Sequence, residues 1–267
     1  MQTATTLRSL TRLLILGWCA SGAIGTLPAL GQVVVGAGST LAIGSGAMDH
    51  GCADLAVAGT LRLGSGQAFG IGALSIGAGA LLAGEAGALS WSGDWSNAGQ
   101  FQAGTSSASW VDGCGAMLAT MQGTQQFHTL IVLTDSGREV RFASGQTTQV
   151  AVALTLGGSP GQPLLIRSTT AGSPAFLDLL PGATQFVSAV DVADNFAVGQ
   201  PIGAPGPASN YDSIKGSESN GWFERAATVE QVPATSMLGL LLATAALMLA
   251  ARRQFAASEE TMARDPR

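Results

Sequence analysis

The chain has 267 residues, enough to bury a sizeable core in one or two domains, yet only 11% of it is charged, against about 25% in an ordinary soluble domain. A formal charge of −5 and a pI near 4.9 exclude nucleic acid as a main partner, because phosphates demand a basic face. With 46% hydrophobic residues and 37 glycines, the composition is that of a folded, turn-rich body rather than a disordered chain.

The first segment is laid out for export. Arg8 and Arg12 form a positive n-region, Leu13 to Ala20 an apolar run, and Ala29-Leu30-Gly31 a small-residue cleavage site that leaves Gln32 as the first mature residue. An uncleaved membrane anchor is the alternative, opposed by the shortness of the apolar run. Cys19 is no lipoprotein acceptor, since Trp18 stands where a lipobox needs a small side chain. Residues 1–31 therefore read as a signal peptide.

From Gln32 to Ala226 a short phrase returns: "LAIGSG" at Leu41, "LRLGSG" at Leu61, "LSIGAG" at Leu74 and "LSWSGD" at Leu89. In each, two apolar residues flank one other residue, which places both on the same face of a strand, and a glycine-centred turn follows. Glycine at this density opposes helix by about 1 kcal/mol per residue relative to alanine. The spacings are irregular, but they fit short strands stacked as rungs, none able to bury its inner face without a neighbour. After Phe127 the strands lengthen and carry more β-branched residues, as in "FHTLIVL", "TTQVAVALTLGG" and "PLLIRST". "PIGAPGPASN" after Gln200 reads as an exposed loop. The fold class is all-β: a right-handed parallel β-helix or β-solenoid over residues 32–226, with a β-sandwich as the alternative closure. In texture the body resembles the Gly-rich β-helical surface proteins of bacteria, the haemagglutinin and autotransporter-passenger type, around "LSWSGDWSNAGQFQAGTSSASWVDG" and "AVDVADN".

Once the signal peptide is removed, Cys52 and Cys114 remain, and an even count in an exported chain predicts a disulfide between them. Catalytic signatures are sparse. His50, in "MDHGC", forms a loose cluster with Asp49 and Cys52 that matches no zinc spacing, and His128 reads as a strand-face residue. No metal or other cofactor is expected. One constellation is compatible with a polysaccharide lyase or hydrolase on a β-helix: Asp178, Asp191 and Asp194, with Arg141 and Arg167 nearby in sequence. The competing reading of "DVADN" is a strand ended by an Asx-turn. Trp91, Trp95, Trp110 and Trp222 suit sugar stacking or, as large aromatics more often do, the core.

The far end mirrors the start. Residues 227–236 form a linker and motif, residues 237–253 an uncharged apolar helix with a basic stop at Arg252 and Arg253, and residues 254–267 a cytoplasmic tail. Met237 to Ala251 as a helix would span about 22 Å, and including Val232 to Ser236 brings it near a full crossing. This order resembles the C-terminal sorting signals of Gram-negative bacteria, the IPTL-CTERM and PEP-CTERM families. Val232, Pro233, Ala234, Thr235 and Ser236 stand where the Ile-Pro-Thr-Leu-Ser motif would, with Pro233 and Ser236 matching outright and the PEP-CTERM glutamate missing. The resemblance implies recognition by an exosortase-like membrane protease, an inner-membrane intermediate, and delivery to the cell surface, outer membrane or extracellular matrix. The expected role is structural or adhesive, without enzymatic activity, toward extracellular polysaccharide or cell-surface components.

Overall fold

The computed structural model describes residues 31–224. The signal peptide up to Leu30, the sorting motif Val232–Ser236, the predicted membrane helix with Arg252 and Arg253, and the tail lie outside the described residues.

Within them the chain winds as a parallel β-solenoid of about eight turns. All pairings between its named strands are parallel, which removes the sandwich alternative. The first turn sets the pattern: strand Gln32–Val35 on the first sheet, Thr40–Ala42 on the second and Ala47–Asp49 on the third. Each later turn adds a strand about 4.8 Å along the axis. Inward positions are apolar and buried, as in Leu55 and Val57, Leu74 and Ile76, and Leu164 and Ile166 of the first sheet. Many outward positions are polar or small, the half-buried alternation that the repeated phrase encodes, but Val34, Phe69, Leu118 and Phe186 are large apolar side chains left exposed on the outer faces.

The phrase itself marks one side of a turn rather than a whole rung. Leu41 and Leu61 pair on the second sheet, whereas Leu74 belongs to the first and Leu89 to the third. The true vertical column is Leu41, Leu61, Leu82 and Phe101, whose members lie about 20 residues apart, a solenoid period. The glycine turn after it stacks as well: Gly44, Gly64, Glu85 and Gly104 all have positive φ, at 72°, 67°, 50° and 61°. A Cβ at Gly64 would run into the carbonyl oxygen of Gly44, and one at Gly104 into that of Glu85. At Gly64 and Gly104 close stacking thus demands glycine for space as well as for dihedral angle, whereas Glu85 holds the same left-handed conformation with a side chain.

The second sheet stops after strand Gln100–Gln102. Two long strands, Gln125–Leu133 and Thr147–Gly157, then sweep around its corner as part of the third sheet, and the register slips at His128. That bulge bends the strand, and His128 lies on it half-buried, its Nδ1 3.2 Å from Thr129 Oγ1. The corner reopens one turn later, where Ala175–Leu179 and Thr184–Ser188 pair with the two halves of Thr147–Gly157.

At the change from three sides to two the interior is filled by aromatic rings. Trp91 stacks on Trp110 at 5.9 Å, touches Trp95 at 5.0 Å and lies over Phe127 at 6.3 Å; Phe101 packs edge-on to Trp95. Trp91, Trp95, Trp110 and Trp222 are all essentially inaccessible, so the core reading of the tryptophans holds and sugar stacking on them does not.

The end of the solenoid is closed by residues 200–224. Ile202 and Trp222 are fully buried there, Ile202 N–H donates to the Gly221 carbonyl, and Phe223 N–H donates back to Ile202. "PIGAPGPASN" is thus part of a lid over the core and not a free loop: its Ile202 plugs the last turn, Gln200 Nε2 donates to the carbonyls of Leu180 and Ala183, and Gln185 Nε2 donates to that of Pro201.

Candidate functional site

The edge where the third sheet hands over to the first carries most of the polar structure. In the early turns it is made of Gly-rich corners at Gly51, Gly72 and Gly93. Cys52 lies in the first of these and is bonded to Cys114, 62 residues on, with Cα atoms 5.3 Å apart. The predicted disulfide is present. The corners of Gly72 and Gly93 lie between the two cysteines in the chain, and Cys52, Gly72, Gly93, Cys114 and Ala116 line one hollow. The segment after Asp112 therefore folds back along the outside of the solenoid and staples across these corners. Both cysteines have positive φ, at 69° and 49°. In the chain-entropy picture a loop of this length contributes about 4 kcal/mol.

One turn above, a buried cation sits in the same edge. Arg138 is 0% exposed; its Nη1 donates to the Val111 carbonyl at 2.6 Å and its Nη2 to the Ser92 carbonyl at 2.5 Å, and the guanidinium lies 5.4 Å over the Trp110 ring. Asp112 supplies the counter-charge at 3.9 Å. Asp112 Oδ2 accepts four hydrogen bonds, from the hydroxyls of Thr134 and Ser136 and the N–H groups of Asp135 and Ser136. Burial works to raise the Asp112 pKa, but those hydrogen bonds outweigh it and hold the carboxyl below its usual range. Burial draws Arg138 below its ordinary value, with Asp112 opposing. This arrangement ties three successive turns together. Sequence reasoning missed it. Asp112 and Arg138 are far apart in the chain, and the alternation that would mark Arg138 as inward is interrupted by the turn at Ser136-Gly137; "TDSGR", with hydroxyls on both sides of an acid, was the available signal.

The carboxylates expected to converge are divided between sheets. Asp178 is on strand Ala175–Leu179 of the third sheet, where Gln149 Nε2 donates to it at 2.9 Å. Asp191 is on strand Val190–Val192 of the first sheet, 3.1 Å from Arg167. Asp194 follows that strand in the left-handed region, with a φ of 53°, and its backbone N–H donates to the Ser217 carbonyl. What the first sheet does bring together is Arg141, Arg167, Asp194 and an unforeseen acid, Glu139, around a shallow groove of about 440 Å³. Each guanidinium there is already engaged, Arg141 by Glu139 at 2.5 Å and Arg167 by Asp191.

His50 is buried at a corner of the first turn, with neither ring nitrogen hydrogen-bonded, in a hollow shared with Gly31, Gly51, Cys52 and Ala53. Burial lowers its pKa, with the charge of Asp49 acting the other way. With Cys52 in a disulfide, the loose cluster around His50 has lost its thiolate. Among the described residues no group of three or more His, Cys, Asp or Glu side chains is placed to hold a metal ion. A hollow of about 500 Å³ lies further along the same edge against Pro160, Pro163, Ala189 and Ile214, and brings together no acid–base pair. Among the described residues no helix is long and apolar enough to cross a membrane.

Comparison of the chain with protein-family models, with curated proteins and with solved structures gave no match.

Proposed function

We propose that the protein is a structural or adhesive component of the envelope of a Gram-negative bacterium, exported by residues 1–31 and addressed by residues 232–253. The observation that carries this reading is the Cys52–Cys114 bridge on the outside of the solenoid, a feature of chains that fold in an oxidising compartment. The winding is taken as right-handed, the hand of about 98% of parallel crossovers. Polysaccharide or a cell-surface component is the proposed target of the rod's outer faces, and an exosortase-like membrane protease the proposed processing partner.

The sorting segment works in two separable parts on this reading. The apolar helix with Arg252 and Arg253 holds the chain in the inner membrane, since each charge costs about 2.5–3.5 kcal/mol at the bilayer centre. The Pro233 motif is read in extended form by the protease. In the native host, Arg252→Ala with Arg253→Ala should weaken membrane retention, whereas Pro233→Ala with Ser236→Ala should leave an uncut, membrane-held precursor. Immunoblots of membrane, surface and medium fractions, with masses of both mature termini, check this. If the Pro233 and Ser236 changes alter neither mass nor fraction, the segment is an anchor and nothing more.

The groove of Glu139, Arg141, Arg167 and Asp194 favours a second reading, a polysaccharide lyase or hydrolase. Turnover of acidic or neutral polysaccharides that disappears in Arg167→Ala would establish it in place of the structural role.

A further inference from the structure

We infer that the Cys52–Cys114 bridge is a thiol–disulfide exchange site open in the folded protein, and that its acidic surround admits neutral and cationic thiols ahead of anionic ones. The bridge is not a core disulfide. Both cysteines are exposed corner residues outside the apolar interior. They are the two residues shared by the walls of two hollows, of about 250 and 260 Å³. The bridge thus stands between two open spaces instead of under packed side chains, and access is one of the quantities that set the rate of exchange.

The charge around the bridge is mostly of one sign. Asp54 and Asp94 line one hollow with the two cysteines, and Asp112 lines the other. Asp54 and Asp94 are exposed, and each accepts from a backbone N–H, of Ala73 at 2.8 Å and of Thr120 at 2.7 Å. Asp49, at the same corner as Cys52, is also exposed and accepts from the Gly51 N–H at 2.9 Å. Arg138 opposes these carboxylates, but it is buried behind Asp112 and engaged by the carbonyls of Val111 and Ser92. Burial holds His50 below its ordinary pKa, so it adds no charge at neutral pH. Exchange starts when a thiolate attacks one bridge sulfur: a new S–S bond forms, the Cys52–Cys114 bond breaks, and the other cysteine leaves as a thiolate that takes a proton from water. A second thiolate attacks the outer sulfur of the mixed disulfide and releases the remaining cysteine. The two electrons gained by the protein come from the two small thiols, which end joined as one disulfide. Since the attacking species is itself an anion, carboxylates along its path slow it, and any further negative charge on the thiol slows it again.

The test follows reduction of the full-length oxidised chain by cysteamine, mercaptoethanol and mercaptoethanesulfonate, which differ in charge at nearly constant size. Rates per thiolate are divided by those of the same thiols on hydroxyethyl disulfide, a small neutral disulfide, which removes their intrinsic reactivity. Free Cys52 and Cys114 are read peptide by peptide after alkylation, so that Cys19 is not counted. The rate should rise linearly with thiol concentration, and the normalised rates should fall from cysteamine to mercaptoethanesulfonate by about threefold per unit of charge at low salt. Asp54→Asn with Asp94→Asn keeps both acceptor oxygens, removes two charges and should narrow that spread. Raised salt should narrow it in the unaltered chain, which serves if the double variant fails to fold. Asp212→Asn, at the other end of the solenoid, should leave it unchanged. A rate independent of thiol concentration would mean that the bridge reacts only after the solenoid opens, and overturns the site. Equal normalised rates for the three thiols, or a spread untouched by salt and by the asparagines, overturn the selection by charge.

Discussion

Among the described residues, the two ends of the solenoid differ in how they are covered. A stack of parallel turns always leaves a last turn with one side of its backbone and its apolar interior uncovered. At the C-terminal end residues 200–224 fold over the opening, with Ile202 and Trp222 fully buried and the strand Asn195–Gly199 receiving a hydrogen-bond partner in Asn220. At the N-terminal end the first strand begins at Gln32 and nothing among the described residues lies over it. At the C-terminal end the repeating unit does not supply its own terminus: closure there is made by a separate, non-repeating sequence that includes Pro201, Pro205 and Pro207.

The sharpest way to break this comparison is to truncate a plug at each end. Trp222→Ala should destabilise the body by about 3–5 kcal/mol, the range for a fully buried aromatic. Leu41→Ala, at a half-buried position of the open end, should cost about 1 kcal/mol. Denaturant unfolding of the two variants measures the contrast, and equal losses would mean that the first turn is as well covered as the last. Removing the staple comes next. Cys52→Ala with Cys114→Ala should lower stability by about 2–5 kcal/mol, and hydrogen exchange should quicken in the turns between residues 52 and 114 while those after Thr147 keep their protection. Uniform loss of protection would show that the solenoid opens as a single unit.

The smallest expected effect is on pH dependence. His50 is held below its ordinary pKa, so the unfolded chain takes up its proton first, and its contribution is complete above about pH 6.5 and lost as pH falls through the folded value. Asp112 is also lowered, and its contribution is present above about pH 4 and lost as pH falls through its own folded value. Acidification should therefore loosen the first turn, next to His50, before the middle of the rod. His50→Leu should abolish the earlier phase in a hydrogen-exchange pH series and leave the later one, whereas Ser136→Ala should reduce only the later one.

The alternation in "LRLGSG" and the glycines after it were enough to read strands, inward faces and stacking, because each depends on residues within one side of one turn. The period was harder to see. Leu74 and Leu89 repeat the phrase on different sheets, so the column of Leu41, Leu61, Leu82 and Phe101 is masked by look-alikes. The disulfide followed from counting cysteines. The Arg138–Asp112 assembly did not, since it joins residues on different turns through carbonyls that carry no side-chain signature. Asp178 and Asp191 illustrate the converse: close in sequence, they are placed on different sheets by the corner between them.

The staple also has a mechanical side. A rod held to a cell at one end and gripped at the other would lengthen under tension as its turns peel away. The 62 residues that separate Cys52 from Cys114 amount to about 200–220 Å of extended chain at ~3.3–3.6 Å per residue. While the bridge is oxidised, load passes from one sulfur to the other and that contour length stays hidden. Reduction would release it, turning a short stiff tether into a long compliant one without any change in what the tether holds.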